Sequence, residues 1–166
     1  MEIGGSSGKV HTVSEAGSLS EEMLARLSTD EMWRNDAASR MLAMRIVSVA
    51  AGRATLSMQV RADMVNGFNV CHGGLIASLA ESAFGVACNS RGLLTIARGF
   101  DIHFLEPARL DDELIAKADE VTLRGDDGVY SVIVKRVADK VTIARFRGRS
   151  RGLGQRYAAS SVPSTG

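Results

Sequence analysis

Cysteine is scarce in this chain of 166 residues: there are two, Cys71 and Cys88. Two thiols cannot staple a chain of this length, so a disulfide scaffold is excluded and both are expected to be free, as suits a reducing cytosol. An excess of charge of either sign is missing as well, since twenty Lys and Arg against nineteen Asp and Glu leave a net charge of +1. No global field therefore draws nucleic acid or an anionic membrane, and any anionic ligand must be met locally. Long apolar runs are also lacking. The longest stretch, the sixteen residues from Gly73 to Cys88, carries Glu81 in its middle, whereas a bilayer span needs about 20 apolar residues. Met1 to Lys9 has Gly and Ser where a secretory leader would have basic residues and then an apolar run, so a cytoplasmic protein is expected. The three histidines, His11, His72 and His103, have none of the spacings that zinc sites use, and no metal site is expected.

What is present is the balance of a globular protein: 45% hydrophobic and 23% charged residues, enough apolar surface for one core. Residues 1–17 are polar and aperiodic and are expected to be a flexible tail, as are residues 155–166, leaving a single domain over 18–154. Ser18 with Glu21 and Ser28 with Glu31 have capping-box spacing, which predicts two short helices over 19–28 and 29–42. From Arg53 to Arg61 the pattern alternates, with Ala54, Leu56, Met58 and Val60 on one face, the mark of a half-buried strand. A strand near Met44 to Val49 precedes it through a turn at Ala51-Gly52, making a hairpin. A period of two returns near Thr95 to Phe104, and three further strands are predicted near 112–122, 129–137 and 140–150, separated at Asp127-Gly128 and Asp139-Lys140. Gly73 to Asn89 reads as a helix apolar nearly all round, which must be enclosed on most sides. An α+β architecture follows, with a curved antiparallel sheet of five to six strands wrapped around one long helix.

Within that helix Glu81 is the only charge. A buried unpaired carboxylate costs several kcal/mol, so Glu81 either marks an exposed or subunit-facing stripe shared with Ser78, Ser82 and Gly85, or is a catalytic base raised by burial. His72-Gly73-Gly74 opens the helix, where free N–H groups and the macrodipole point outward. This is either an oxyanion or anion site or simply a Gly-rich entry to the helix. Cys71 beside His72 does not make a thiol nucleophile, since adjacent residues seldom place the imidazole on the sulfur. Arg145, Arg147, Arg149 and Arg151 recur at every second position. On a strand they line one face, either gripping phosphates or forming a solvated face neutralised by Asp101 or Glu106.

The run Asn66-Gly67-Phe68-Asn69-Val70-Cys71-His72-Gly73-Gly74, with Leu79-Ala80-Glu81, Ala83-Phe84 and Ala87-Cys88-Asn89-Ser90-Arg91-Gly92 downstream, resembles the PaaI-type (phenylacetic acid degradation) hotdog thioesterases. Asp101-Ile102-His103-Phe104-Leu105-Glu106-Pro107-Ala108 and Phe146-Arg147-Gly148-Arg149-Ser150 extend the likeness from about Met32 to Gly154. The resemblance implies a hotdog fold and hydrolysis of an acyl-CoA thioester, either aryl-acetyl (phenylacetyl or hydroxyphenylacetyl) or medium acyl. It also implies a homodimer or homotetramer with sites between subunits, and no cofactor, coenzyme A being part of the substrate. It maps the acid to Glu81, the oxyanion amide to Gly73 and the supporting polar residues to Asn66 and His72. Gly74, Arg91, Arg147 and Arg149 are the expected contacts to substrate. Where phenylacetate-type members usually have Asp, this chain has Glu81, and where some relatives have a water-positioning hydroxyl it has Ala97. The same fold also hosts acyl-thioester dehydratases, so a dehydratase and a non-catalytic acyl-CoA-binding protein stand as alternatives.

Overall fold

A computed structural model describes residues 20–157; the expected tail over 1–17 lies outside them. Helix α1 (Glu21–Arg34) and the one-turn helix α2 (Ala37–Met41) come first. Strands β1 (Arg45–Ala50) and β2 (Arg53–Gln59) follow, then the long helix α3 (Gly73–Asn89) and strands β3 (Leu93–Phe104), β4 (Glu113–Arg124), β5 (Asp127–Arg136) and β6 (Thr142–Arg156). The six strands form one antiparallel sheet in the order β1-β2-β4-β5-β6-β3. Among the described residues no helix is long and apolar enough to cross a membrane.

The central helix runs over the predicted residues, and strand alternation lays its bed. On β4, Leu114, Ala116 and Ala118 are buried, on β5 Tyr130, Val132 and Val134, and on β6 Ala144 and Phe146. Ile76, Leu79, Ala80, Ala83 and Phe84 of α3 are buried with them in one hydrophobic cluster. Phe84 lies at the middle of this contact, 5.4 Å from the Tyr130 ring and 5.7 Å from that of Phe146. Fully burying side chains of this size stabilises by about 1.5–3 kcal/mol each. Strand β3 is the exception: it pairs only with β6, and Ile96, Phe100 and Phe104 remain 48%, 44% and 50% exposed.

Four expectations are corrected. The first helix does not break at Ser28, which sits mid-helix and donates its hydroxyl to Leu24 O at 2.8 Å. The break falls at Asn35-Asp36 instead, because Asp36 caps α2 by accepting from Ser39 N at 2.9 Å. The cap of α1 is Ser20, which accepts from Met23 N; Ser18 lies outside the described residues. Asp127 and Gly128 belong to β5, the turn coming earlier at Gly125, whose φ of +57° suits a residue without Cβ. The domain does not end at 154: Arg156 still pairs with Leu93, and Tyr157 donates its N–H to Gly92 O and its hydroxyl to Asn89 Oδ1.

Gly148 of β6 gives a test of the central packing. A Cβ there would lie 2.9 Å from the Phe146 ring and 3.0 Å from that of Phe84, and neither buried ring has room to retreat. Gly148→Ala is expected to lose about 1–3 kcal/mol through overpacking, read as a lower denaturant midpoint at unchanged slope.

Candidate active site

The loop before α3 is built to present the helix N-terminus. Asn66 folds it, its Oδ1 accepting from Phe68 N at 2.9 Å and its backbone N–H donating to Val70 O, with Asn69 at a left-handed φ of 58°. Cys71 N then donates to Ala108 O and His72 N to Met64 O, which seats the loop on the core. His72 is the N-cap: its Nδ1 accepts from Gly74 N at 3.2 Å, while its carbonyl accepts from Leu75 and Ile76. With Nδ1 an acceptor, the ring proton sits on Nε2 and points elsewhere. Of the first-turn amides, only that of Gly73 is left without a partner among the described hydrogen bonds. Gly73 lines a cavity of about 330 Å³ together with Asn66, Val70, Cys71, Ile76, Phe104 and Glu106. A free N–H at the positive end of a helix, beside an apolar wall, is a site for a developing negative charge.

The predicted substrate contact Gly74 therefore spends its amide on His72, and its own N–H is not offered to a ligand. The thiol of Cys71 is buried and pushed up to about 11 by burial and then by Asp112, which keeps it protonated and disfavours a nucleophilic role.

Glu81 stands eight residues further along α3, about 12 Å away at the helical rise. It lies on the helix's less buried stripe with Ser78, Ser82 and Gly85, while Ile76, Leu79, Ala80 and Ala83 are covered. It faces outward from its own core and is still half-buried. Burial, and after it the charge of Asp36, push its carboxyl above the ordinary carboxylate range. Its cavity, also about 330 Å³, is lined by Met32, Asn35 and Asp36 from the α1–α2 elbow, by Ser82 and Gly85, and by Thr95 and Ala97 of β3. Ala97 thus faces the acid with a methyl group, and the hydroxyl that β3 brings to this cavity is that of Thr95, which donates to Leu93 O. The elbow residues were not foreseen from the sequence. The only trace they left was the Asp36-x-x-Ser39 capping spacing, obscured by the competing pair at Ser28.

The arginines do not join these cavities. Arg91 makes a two-point ion pair with Glu120, Nε to Oε2 at 2.9 Å and Nη2 to Oε1 at 3.0 Å, with Tyr130 donating to the same carboxylate. It ties the C-terminal end of α3 to β4. Arg147 and Arg149 are exposed on the face of β6 opposite the buried Phe146 and Gly148, hence on the side of the sheet away from α3. Arg149 is paired with Asp101 at 3.2 Å, the neutralised-face arrangement.

A single helix embraced by a six-stranded antiparallel sheet, with a Gly-rich helix entry and an acid further along, defines a hotdog-fold protein of the thioester-processing kind. The chain belongs to the thioesterase superfamily. The Thioesterase superfamily profile matches residues 68–143. The acyl-coenzyme A thioesterase PaaI of Escherichia coli is 41% identical over 123 residues, 74% of this chain and 87% of that protein. A putative esterase of Archaeoglobus fulgidus is 38% identical over 127 residues, 76% of this chain and 81% of that protein. The solved structure of the E. coli PaaI protein from the phenylacetic acid degradation operon superimposes with a TM-score of 0.81 at 37% identity, covering 84% of this chain and 100% of that one.

The Arg91 pair yields a prediction with a definite sign. Arg91 holds the Glu120 carboxyl below its ordinary range, so the stabilisation is present above that range and is lost as pH falls through the lowered value. Arg91→Met should cost on the order of 1 kcal/mol at neutral pH, discounted for partial exposure, and much less once the pH has fallen through the lowered range of Glu120. Thermal melts of both proteins across that span check it.

Proposed function

We propose that the chain is an acyl-CoA thioesterase that acts as a dimer, with Gly73 of one subunit and Glu81 of the other serving one substrate. The observation that carries this reading is the Gly73 amide, the first-turn N–H left without a partner among the described hydrogen bonds, on a residue that lines a cavity. The thioester carbonyl oxygen lies on that N–H, which stabilises the oxyanion more than the ground state. Glu81 activates water or attacks the carbonyl carbon itself. The tetrahedral intermediate collapses with loss of the CoA thiolate, and because a thiol of pKa about 8.5 leaves readily as its anion, no strong general acid is required. His72 and Asn66 contribute by shaping the loop that offers Gly73.

Two features support assembly. The roughly 12 Å between Gly73 and Glu81 on one rigid helix is too far for both to touch one carbonyl. Strand β3, meanwhile, has a free edge, with Phe100 and Phe104 exposed on the side of the sheet that bears α3 and Ile96 exposed on the other, the kind of edge that pairs with a second copy. For the acyl group, the E. coli relative's place in a phenylacetic acid degradation operon favours an aryl-acetyl thioester, with a medium acyl group next.

Thiol release from a panel of aryl- and fatty-acyl-CoA substrates tests the reading. Glu81→Ala is expected to lose at least about 1,000-fold in kcat, and Glu81→Asp about 10- to 100-fold, since shortening the acid by one methylene retracts the carboxylate by about 1.5 Å. An enoyl product from a 3-hydroxyacyl-CoA would instead mark a dehydratase, and tight binding with no turnover a binding protein. The assembly has its own check: Ile96→Glu, at a position exposed in the single subunit, should sediment as a folded monomer and lose thiol release.

A further inference from the structure

The α1–α2 elbow has no part in the reaction as described above, yet it brings a second carboxylate to the cavity of the first. Asp36 lines the same cavity as Glu81. Its Oδ1 accepts from Ser39 N at 2.9 Å and its Oδ2 from the Ser39 hydroxyl at 2.7 Å. The Ser39 hydroxyl, 1% exposed, lies 3.2 Å from that of Ser82, the residue next to Glu81 on α3. Asp36 is thus pinned in place by a cap it makes itself, and a chain of two hydroxyls links it to the helix that bears the acid. Neither carboxylate has a cation as a partner among the described ion pairs.

We propose that Asp36 is a positioning residue for Glu81: it fixes Ser82 beside the acid and, through its own negative charge, sets the pH at which Glu81 ionises. The inference rests on Glu81 being the acid of the thioesterase site. Two like charges sharing a half-buried cavity disfavour the second ionisation, and burial and then Asp36 are the two causes that raise the Glu81 carboxyl. The other groups facing Glu81 do not compete for this role. The elbow otherwise brings Met32 and Asn35, and β3 brings Thr95 and Ala97, none of which titrates. Cys88 of α3 is buried and pushed up to about 12, hence neutral. Any group that the proposed assembly brings to Glu81 from the second subunit is the same in native and variant proteins, so it cancels in a comparison between them.

The consequence is a trade between readiness and reach. A carboxyl held protonated to higher pH is a stronger base once it ionises, which suits proton abstraction from water near neutrality. The test is Asp36→Asn, backed by Asp36→Ser; both replacements are good N-caps and preserve α2 while removing the charge. Carbon-13 titration of δ-labelled glutamate in the native dimer, with the Glu81 signal assigned by its loss in Glu81→Gln, reads the ionisation directly. The pH profile of kcat/KM is measured alongside it. Both neutral variants are expected to move the Glu81 midpoint and the acid limb of the profile to lower pH. A purely structural Asp36 would lower the height of the profile and leave its limb in place. An unmoved midpoint in either folded variant overturns the proposal. If the midpoint moves but the native protein releases no thiol from any substrate, the thioesterase reading fails and the coupling stands. Should thiol release depend on Glu81 while the midpoint stays put, the coupling fails alone.

Discussion

One constraint governs this molecule: a helix of seventeen residues that is apolar on nearly every side cannot be covered by one sheet. The sheet takes the side bearing Ile76, Leu79, Ala80, Ala83 and Phe84, and the tilted rings of Phe84, Tyr130 and Phe146 register it there. The side left over runs through Ser78, Glu81, Ser82 and Gly85, small and polar groups that tolerate partial exposure. The acid proposed for the reaction sits on that leftover stripe. A carboxylate on the covered side would be desolvated without compensation, and on a fully exposed helix it would keep an ordinary affinity for protons. Half-burial between the elbow and β3 is what makes Glu81 both chargeable and basic.

The ends of α3 show how differently one helix is treated at its two termini. The C-terminal end is anchored by the Arg91–Glu120 pair and by Asn89, whose amide exchanges two hydrogen bonds with the backbone of Thr95 and also accepts from Tyr157. The N-terminal end is satisfied amide by amide until one remains. His72 supplies both the side-chain cap and the carbonyl that complete the first turn, so the open amide of Gly73 is the outcome of a capping pattern and not of a missing partner. The electrostatic consequence is local. With a net charge of +1 the protein offers no long-range attraction, and what the α3 terminus offers is one short-range N–H donor.

Much of this was legible in the residues. The alternation of Ala54, Leu56, Met58 and Val60 gave the face of β2, and the run from Gly73 to Asn89 gave the helix, because periodicity reports burial directly. Glu81 stood out as the only charge in that run. The misread points share a cause: short polar spacings such as Ser28-x-x-Glu31 satisfy a capping rule locally, and only packing decides which of two rival caps is used. The pairs of Arg91 with Glu120 and of Arg149 with Asp101 were not legible, because a sequence shows that a guanidinium is present but not which carboxylate it meets. Asp36 was missed for the converse reason, its importance lying in a neighbour forty-five residues away.

Strand β3 carries an implication for how such a protein behaves in a cell. Its twelve residues end the sheet with a free row of backbone donors and acceptors beside exposed Ile96, Phe100 and Phe104, the profile of an edge prone to illicit pairing. If that edge also completes the site, an unassembled chain is at once idle and sticky. Quality control and activity then depend on the same encounter, and chain concentration acts as a threshold: dilution disarms the enzyme, while newly made chains are safe only once they have found each other.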